Sequence, residues 1–309
     1  MKNTLRSIAV FLALTLTLTL MSWGFVGHSM IAVRAQLSFN EEMEIFEGWM
    51  SYLAEHSSDP DKRKSDDPEE GPKHYIDLDN YKMFKDEGRI PMTLDSCISL
   101  YGSSFVEDQG YLPWATLTAF DSLVSCLKRG DEDNGKKFAA DLSHYVADGH
   151  MPLHLTRNYD GQFTRNQGIH YRYESEMINE YHDQIQYGGH EIGEIEVIRD
   201  YVFTYLYENY EYLDTILLGD DEAADADPSM ADDAYYSTLW NYTKHTTITM
   251  FERASHALAE LLYNAYLRSQ IPVSTEQIKP AGQDTDLRIY PNPVNSTAHF
   301  TWNSSSSAR

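Results

Sequence analysis

The sequence predicts a mainly α protein built as a single multi-helix domain, with a short β-prone segment at its C-terminus. Three observations carry that reading. Apolar residues recur at helical spacing in successive segments, and prolines and glycines stand where helices begin and end. No part of the core alternates apolar and polar residues as a half-buried strand does. About 250 residues lie between the two terminal segments, a length that suits one domain.

Taken in order, residues 1–22 are expected to form a secretory signal. Lys2 and Arg6 supply the positive region, and residues 8–21 form an apolar run too short for a membrane span. Cleavage after Ser22 would leave Trp23 as the first mature residue. The domain proper is then 23–270. Helices are expected over 31–39 and 41–55, followed by an acidic, proline-containing loop at 57–73. Pro113 suits a first helical turn; Leu117, Phe120, Val124 and Leu127 follow at helical spacing before Gly130 ends the run. Phe138, Leu142 and Tyr145 continue the pattern, with His144 and Asp148 on a neighbouring face. Further helices are expected over 195–218 and 236–267. Residues 220–233, rich in Asp and Ala, read as a solvated loop without the glycine and glutamate of an EF-hand. Residues 271–286 read as a linker. Helix packing accounts for most of the 22 tyrosines.

The chain carries 48 acidic against 24 basic residues. Nucleic-acid binders usually show a basic face, because Lys and Arg contact phosphate. No basic stripe occurs here, which tilts the reading away from a nuclease and from docking on anionic lipid; a bound cation can reverse that sign locally. Cys97 and Cys126 are the two cysteines, and an exported protein can join them in one disulfide. A bridge is expected, and no catalytic thiol.

Most of the chemistry lies in one segment. It reads His144-x3-Asp148-x5-His154, then His170-x3-Glu174. A four-residue separation puts two side chains on one helix face, where both can reach a common ion. Upstream stand Trp23-Gly24 with His28, and Asp59-Pro60-Asp61 ahead of His74.

This ligand set resembles the trinuclear-zinc phosphodiesterases, the family joining zinc-dependent phospholipase C with the S1/P1 nucleases. The resemblance implies the all-helical fold of that family and three zinc ions per chain. One zinc would be held by Asp59, His74, His144 and Asp148. Another would be held by His154, His170 and Glu174. A third would take the amine and carbonyl of Trp23, with His28 and Asp148. An α-amino group has a pKa near 8, so a cation can displace its proton at neutral pH. Asp61 stands as the alternative to Asp59, whose spacing fits the family better. Asp59 and Asp148 are the carboxylates implied in catalysis. Asp77 and Asp79 suit the orientation of a ring N–H; His150 suits a supporting or exposed place. His182, His190, His245 and His256 read as surface or packing residues.

The implied reaction is hydrolysis of a phosphodiester by zinc-activated water. Glu174 and the short interval from His154 to His170 resemble the phospholipase branch, whereas Trp23-x4-His28 resembles the nucleases. With the acidic charge, a phospholipid head group is the expected substrate; the alternative is single-stranded nucleic acid, and a third reading is a non-catalytic zinc-binding secreted protein. Leu287-Arg288-Ile289-Tyr290-Pro291-Asn292-Pro293 resembles the opening of the C-terminal sorting domain of the Bacteroidetes type IX secretion system. Residues 287–309 would be part of such a domain. The resemblance implies export through the periplasm to the cell surface or medium by a bacterium of that type, with the secretion machinery as partner and no stable protein partner besides.

Overall fold

The structure, a computed structural model, describes residues 24–271, 288–290 and 299–301. The expected signal, Trp23, most of the linker and most of the sorting segment lie outside the described residues. The chain forms two compact units, one ending at Gln270 and one beginning at Ile271.

The first unit is helical. Helix α1 (Gly24–Ala35) buries Gly27, His28, Ile31, Ala32 and Ala35, a three-and-four-residue stripe that presses onto the rest of the bundle. It starts seven residues before the helix expected over 31–39. The helix expected over 41–55 is broken: Glu44–Glu47 forms one turn, and α2 (Met50–His56) resumes after Gly48 and Trp49. Trp49 is drawn inward, edge-on to Phe46 and over Gly135, where a side chain would collide with its ring. That packing outweighs the continuous helical pattern. The loop expected over 57–73 contains a short helical turn, α3 (Asp59–Arg63), with Pro60 at its start, and runs into a 3-10 turn at Gly71–His74.

Two helices form the centre. Helix α4 (Leu112–Arg129) begins with Pro113 and stops at Gly130, whose left-handed backbone lets its N–H close onto Cys126 and Leu127 carbonyls. Its deepest face is Leu112, Thr116, Ala119, Phe120, Leu123 and Cys126; the expected Leu117, Val124 and Leu127 flank that face. Helix α5 (Glu132–Gly149) is capped by Asp131, which accepts the Asn134 N–H. Every residue of 142–149 is buried, so the last two turns are enclosed on all sides. His144 and Asp148 are therefore carried into the interior by the helix itself.

Ile169–Tyr171 opens a helical segment that widens to π geometry over Arg172–Met177 and closes over Ile178–Tyr181. The helix expected over 195–218 divides into α6 (Ile198–Tyr210) and α7 (Leu213–Ala226). Asn209, at the break, donates its side-chain amide to the Gly149 carbonyl and so ties the turn to the end of α5. The stretch expected as a solvated loop over 220–233 stays helical to Ala226, because Asp220 is buried in an ion pair with Arg172. Helix α8 (Asp233–Gln270) runs for 38 residues, about 57 Å at the rise of an α-helix.

Buried side chains form two clusters, and α8 contributes to both. Neighbours on one helix divide between them: Ala32 and Val146 belong to one cluster, Ile31 and Ala147 to the other. The seam between the cores thus passes along α1 and α5, where His28, His144 and Asp148 are buried.

Both cysteines are free, which corrects the expected bridge. Each is held in its own setting: Cys97 lies against Tyr81, and Cys126 receives Arg129. Burial pushes the Cys97 thiol up to about 11, so it stays protonated. In the second unit, β1 (Arg288–Tyr290) and β2 (His299–Thr301) pair antiparallel with Ile289 opposite Phe300. Among the described residues no helix is long and apolar enough to cross a membrane.

Candidate metal centre

Three groups of donor atoms converge in the helical unit. His28, His144 and Asp148 form one; Asp61, His74 and His144 form a second; His154, His170 and Glu174 form a third. In each, the donor atoms lie within 4.8 Å of one another. The first two share His144 and are joined by Asp148, whose Oδ2 is 3.1 Å from His144 Nε2 and 3.0 Å from His74 Nδ1. Its Oδ1 faces His28 Nε2 at 3.7 Å and His154 Nδ1 at 3.4 Å.

The rings are held by their far sides. His144 Nδ1 donates to the Ser57 carbonyl at 2.7 Å, His154 Nδ1 to the His74 carbonyl at 2.8 Å, and His170 Nδ1 to the Tyr159 carbonyl at 3.2 Å. A carbonyl only accepts, so each Nδ1 keeps the proton and each Nε2 turns a lone pair to the cluster. The Nε2 atoms of His154 and His170 stand 3.3 Å apart, with Glu174 Oε1 and Oε2 at 3.4 and 2.5 Å. His74 is turned the other way round. Its Nδ1 faces His144 Nε2 at 2.8 Å, while Nε2 looks towards Glu70 Oε1 at 3.6 Å.

Glu70 is the site residue that sequence reasoning missed. It is buried and accepts from Tyr145, Lys73 and Arg63. Burial alone would raise its carboxyl, but His74, Tyr145 and Lys73 hold it far below the usual range. It supplies the ring-orienting carboxylate that Asp77 and Asp79 were expected to supply. Those two do other work: Asp79 accepts from the Thr156 hydroxyl and the Arg157 N–H, and burial beside Asp79 pushes the Asp77 carboxyl up to about 7. The signal for Glu70 was its place four residues before His74, obscured by the surrounding charges.

The structure gathers Asp61, not Asp59, with His74 and His144. The Asp59 side chain is 35 % exposed and accepts from Lys62 and His56, whereas the Asp61 side chain is 2 % exposed and 3.5 Å from His74 Nδ1. Residues two apart on a helical turn project to opposite sides, so α3 can send only one inward. Asp61→Asn is expected to lower zinc content and to cost at least about 100-fold in rate, the upper end of the effect of a metal-site partner. Asp59→Asn is expected to change neither by more than about 2-fold, as for an exposed ion pair. Elemental analysis and rates on a generic phosphodiester check the ranking; the reverse order would return the assignment to Asp59.

His150 is buried and stacks on Tyr205, donating to the Val146 carbonyl; burial pushes its imidazole down to about 4, and it belongs to none of the three groups. His182, His190, His245 and His256 also lie outside them.

The donor set fits a metal on the structure's own terms. Both ring nitrogens of His28 and Oδ2 of Asp61 are buried without a hydrogen-bond partner among the described residues, which is costly unless an ion takes them. Burial and the neighbouring His144 push the His28 imidazole down to about 3, leaving it neutral and able to ligate. Burial would raise the Glu174 carboxyl, but His170 and His154 hold it down to about 2.

Five imidazoles and three carboxylates gathered at the seam of a helical bundle form a donor set of the kind that holds zinc. The family model for S1/P1 Nuclease matches residues 23–283, and the chain belongs to that family of zinc-dependent phosphodiesterases, hydrolases acting on ester bonds. No curated protein matches the sequence.

Proposed function

We propose that the protein cleaves single-stranded nucleic acid with three zinc ions, in a mature form that begins at Trp23. One observation carries the choice of substrate. The third group is the accessible one, with the His170 side chain 24 % exposed, and Tyr159 stands beside it, 52 % exposed and edge-on to the His170 ring at 5.9 Å. Phe163 follows on the same loop, exposed and covered on one face by Arg157. An unstacked base can lie on such a ring, and every base has a face to offer. A base inside a duplex cannot reach it.

Asp61, His74 and His144 would hold one ion, His28 and Asp148 with the terminal amine and carbonyl of Trp23 a second, and His154, His170 and Glu174 the third. When bound, zinc lowers the pKa of water towards neutrality and neutralises charge on the phosphate. The protein's own part is to fix the donors. The Ser57, His74 and Tyr159 carbonyls lock three imidazoles as Nδ1-protonated tautomers, Glu70 turns His74, and Asp148 presents one oxygen to each side of the seam.

A phospholipase C activity is the second reading. Glu174, the short His154-to-His170 interval and the acidic charge favour it. Paired assays on single-stranded DNA and on phosphatidylcholine vesicles, each with and without chelator, separate the two. Chelator-sensitive cleavage of vesicles but not DNA would overturn the nuclease assignment. Tyr159→Ala is expected to raise KM for single-stranded DNA about 10-fold, the worth of one stacked base, with kcat on a small phosphodiester unchanged. An unchanged KM would remove Tyr159 from the substrate path.

A further inference from the structure

Arg172 lies between two donors, two residues after His170 and two before Glu174. Its guanidinium turns away from them, into a buried polar knot. Nη2 donates to both oxygens of Asp220, at 2.8 and 3.1 Å; Nε donates to the Tyr235 hydroxyl at 2.7 Å; Nη1 donates to the Gln167 carbonyl at 2.9 Å. Tyr235 in turn donates to Asp220. Asn166, one residue before Gln167, spends its amide on Asp220 Oδ2 and the Leu217 carbonyl. Gly168 completes the fit: its backbone is left-handed, and a Cβ there would meet Arg172 Nη1 at 2.6 Å.

We propose that Arg172, Asp220 and Tyr235 are positioning residues for the His154–His170–Glu174 site, a clamp that fixes the turn carrying two of its three donors. The inference rests on the zinc reading above. The reason for a clamp lies in the helix itself. Arg172–Met177 has π geometry, whose wide turn is rare and is usually maintained by its surroundings at functional sites. Arg172 is its first residue, so the fork of donors holds the turn where it widens. The same fork takes the Gln167 and Asn166 carbonyls, which closes the loop bearing Tyr159 against α7 and the start of α8. His170 reaches the site from that loop's end, and its Nδ1 proton is held by the Tyr159 carbonyl. A planar fork making several directed bonds does this where a lysine, a point charge on a flexible stem, cannot. The acidic stretch beginning at Asp220 is thereby given a role at its buried end.

The test is a stepwise zinc titration of the metal-free mature protein at controlled free zinc. The step belonging to this site is identified by its loss in His170→Ala. Arg172→Lys and Asp220→Asn are expected to raise the free zinc needed for that step by about 10- to 100-fold, the scale on which partners of metal ligands are felt. The other steps stay within about 2-fold, and saturating zinc restores most of kcat. Tyr235→Phe, which removes one hydroxyl, is expected to shift the same step by about 3-fold and decides the matter if the larger changes prevent folding. Unchanged zinc steps with only a lower Tm of the metal-free protein would overturn the proposal and leave the knot a support of the fold alone. If the unaltered protein takes up no zinc, the zinc reading itself fails and the clamp falls with it; if it takes up zinc yet cleaves neither DNA nor lipid, only the substrate assignment fails.

Discussion

Asp148→Asn is expected to leave a folded protein that has lost at least about 10,000-fold in rate, taking roughly 100-fold for each of two positioned stabilisers removed together. The substitution keeps the side-chain volume, so the interior of α5 does not have to repack. What it removes is the anion that faces His144 and His74 with one oxygen and His28 with the other. Two of the three donor groups depend on that carboxylate, so zinc content is expected to fall by up to two ions per chain. Stability should fall with it, since metal binding contributes directly to folding free energy. In chelator the unaltered and altered proteins should melt closer together than they do with zinc. Elemental analysis, rates on a generic phosphodiester and melting with and without chelator check these three outcomes. Full zinc retention at a near-normal rate would take Asp148 out of the centre.

The second large effect is expected at the N-terminus. His28 is five residues from Trp23, fully buried, and has both ring nitrogens without a hydrogen-bond partner among the described residues. Zinc prefers four ligands, and His28 with Asp148 supplies two. The proposed remainder is the carbonyl of Trp23 together with its amine, which is free only in the proposed mature form that begins at Trp23. A protein beginning Met-Trp23 displaces that amine by one residue. It is expected to bind one zinc fewer and to lose at least about 100-fold in rate, as for loss of one positioned stabiliser. Folding should survive better than catalysis, because the other two groups keep their donors. Removing the extra methionine with a site-specific protease should restore both zinc and rate. Full activity in the extended protein would show that the terminus is no ligand.

Which parts of this were legible in the sequence follows from how far each donor's partner lies along the chain. His144 with Asp148, and His170 with Glu174, are each one helical turn apart, so spacing alone pairs them. His28 and His74 reach the same cluster only through tertiary packing, and the family resemblance, not periodicity, connected them. Asp59 and Asp61 differ in helical phase on a single short turn, and nothing local fixes that phase; the burial of Pro60 and Asp61 does. Glu70 was hidden by a run of charges whose other members are solvated. The helix ends failed where one large side chain decides: Trp49 folding over Gly135, Asn209 tied to Gly149, and Asp220 drawn under Arg172. Each of those is a contact between residues more than 40 positions apart, which no window of the sequence contains.

The long helix α8 has a consequence for how the protein comes apart. Its first half is packed into one core and its second half into the other. A helix stripped of its packing is marginal in water, because helical stability in proteins comes mostly from tertiary contacts. Neither core can open while the other stays closed without leaving about half of α8 unsupported. The two cores are therefore expected to melt together, with the partly open states that proteases attack nearly as costly as complete unfolding. Resistance to such opening is expected from a shared beam and not from a cross-link.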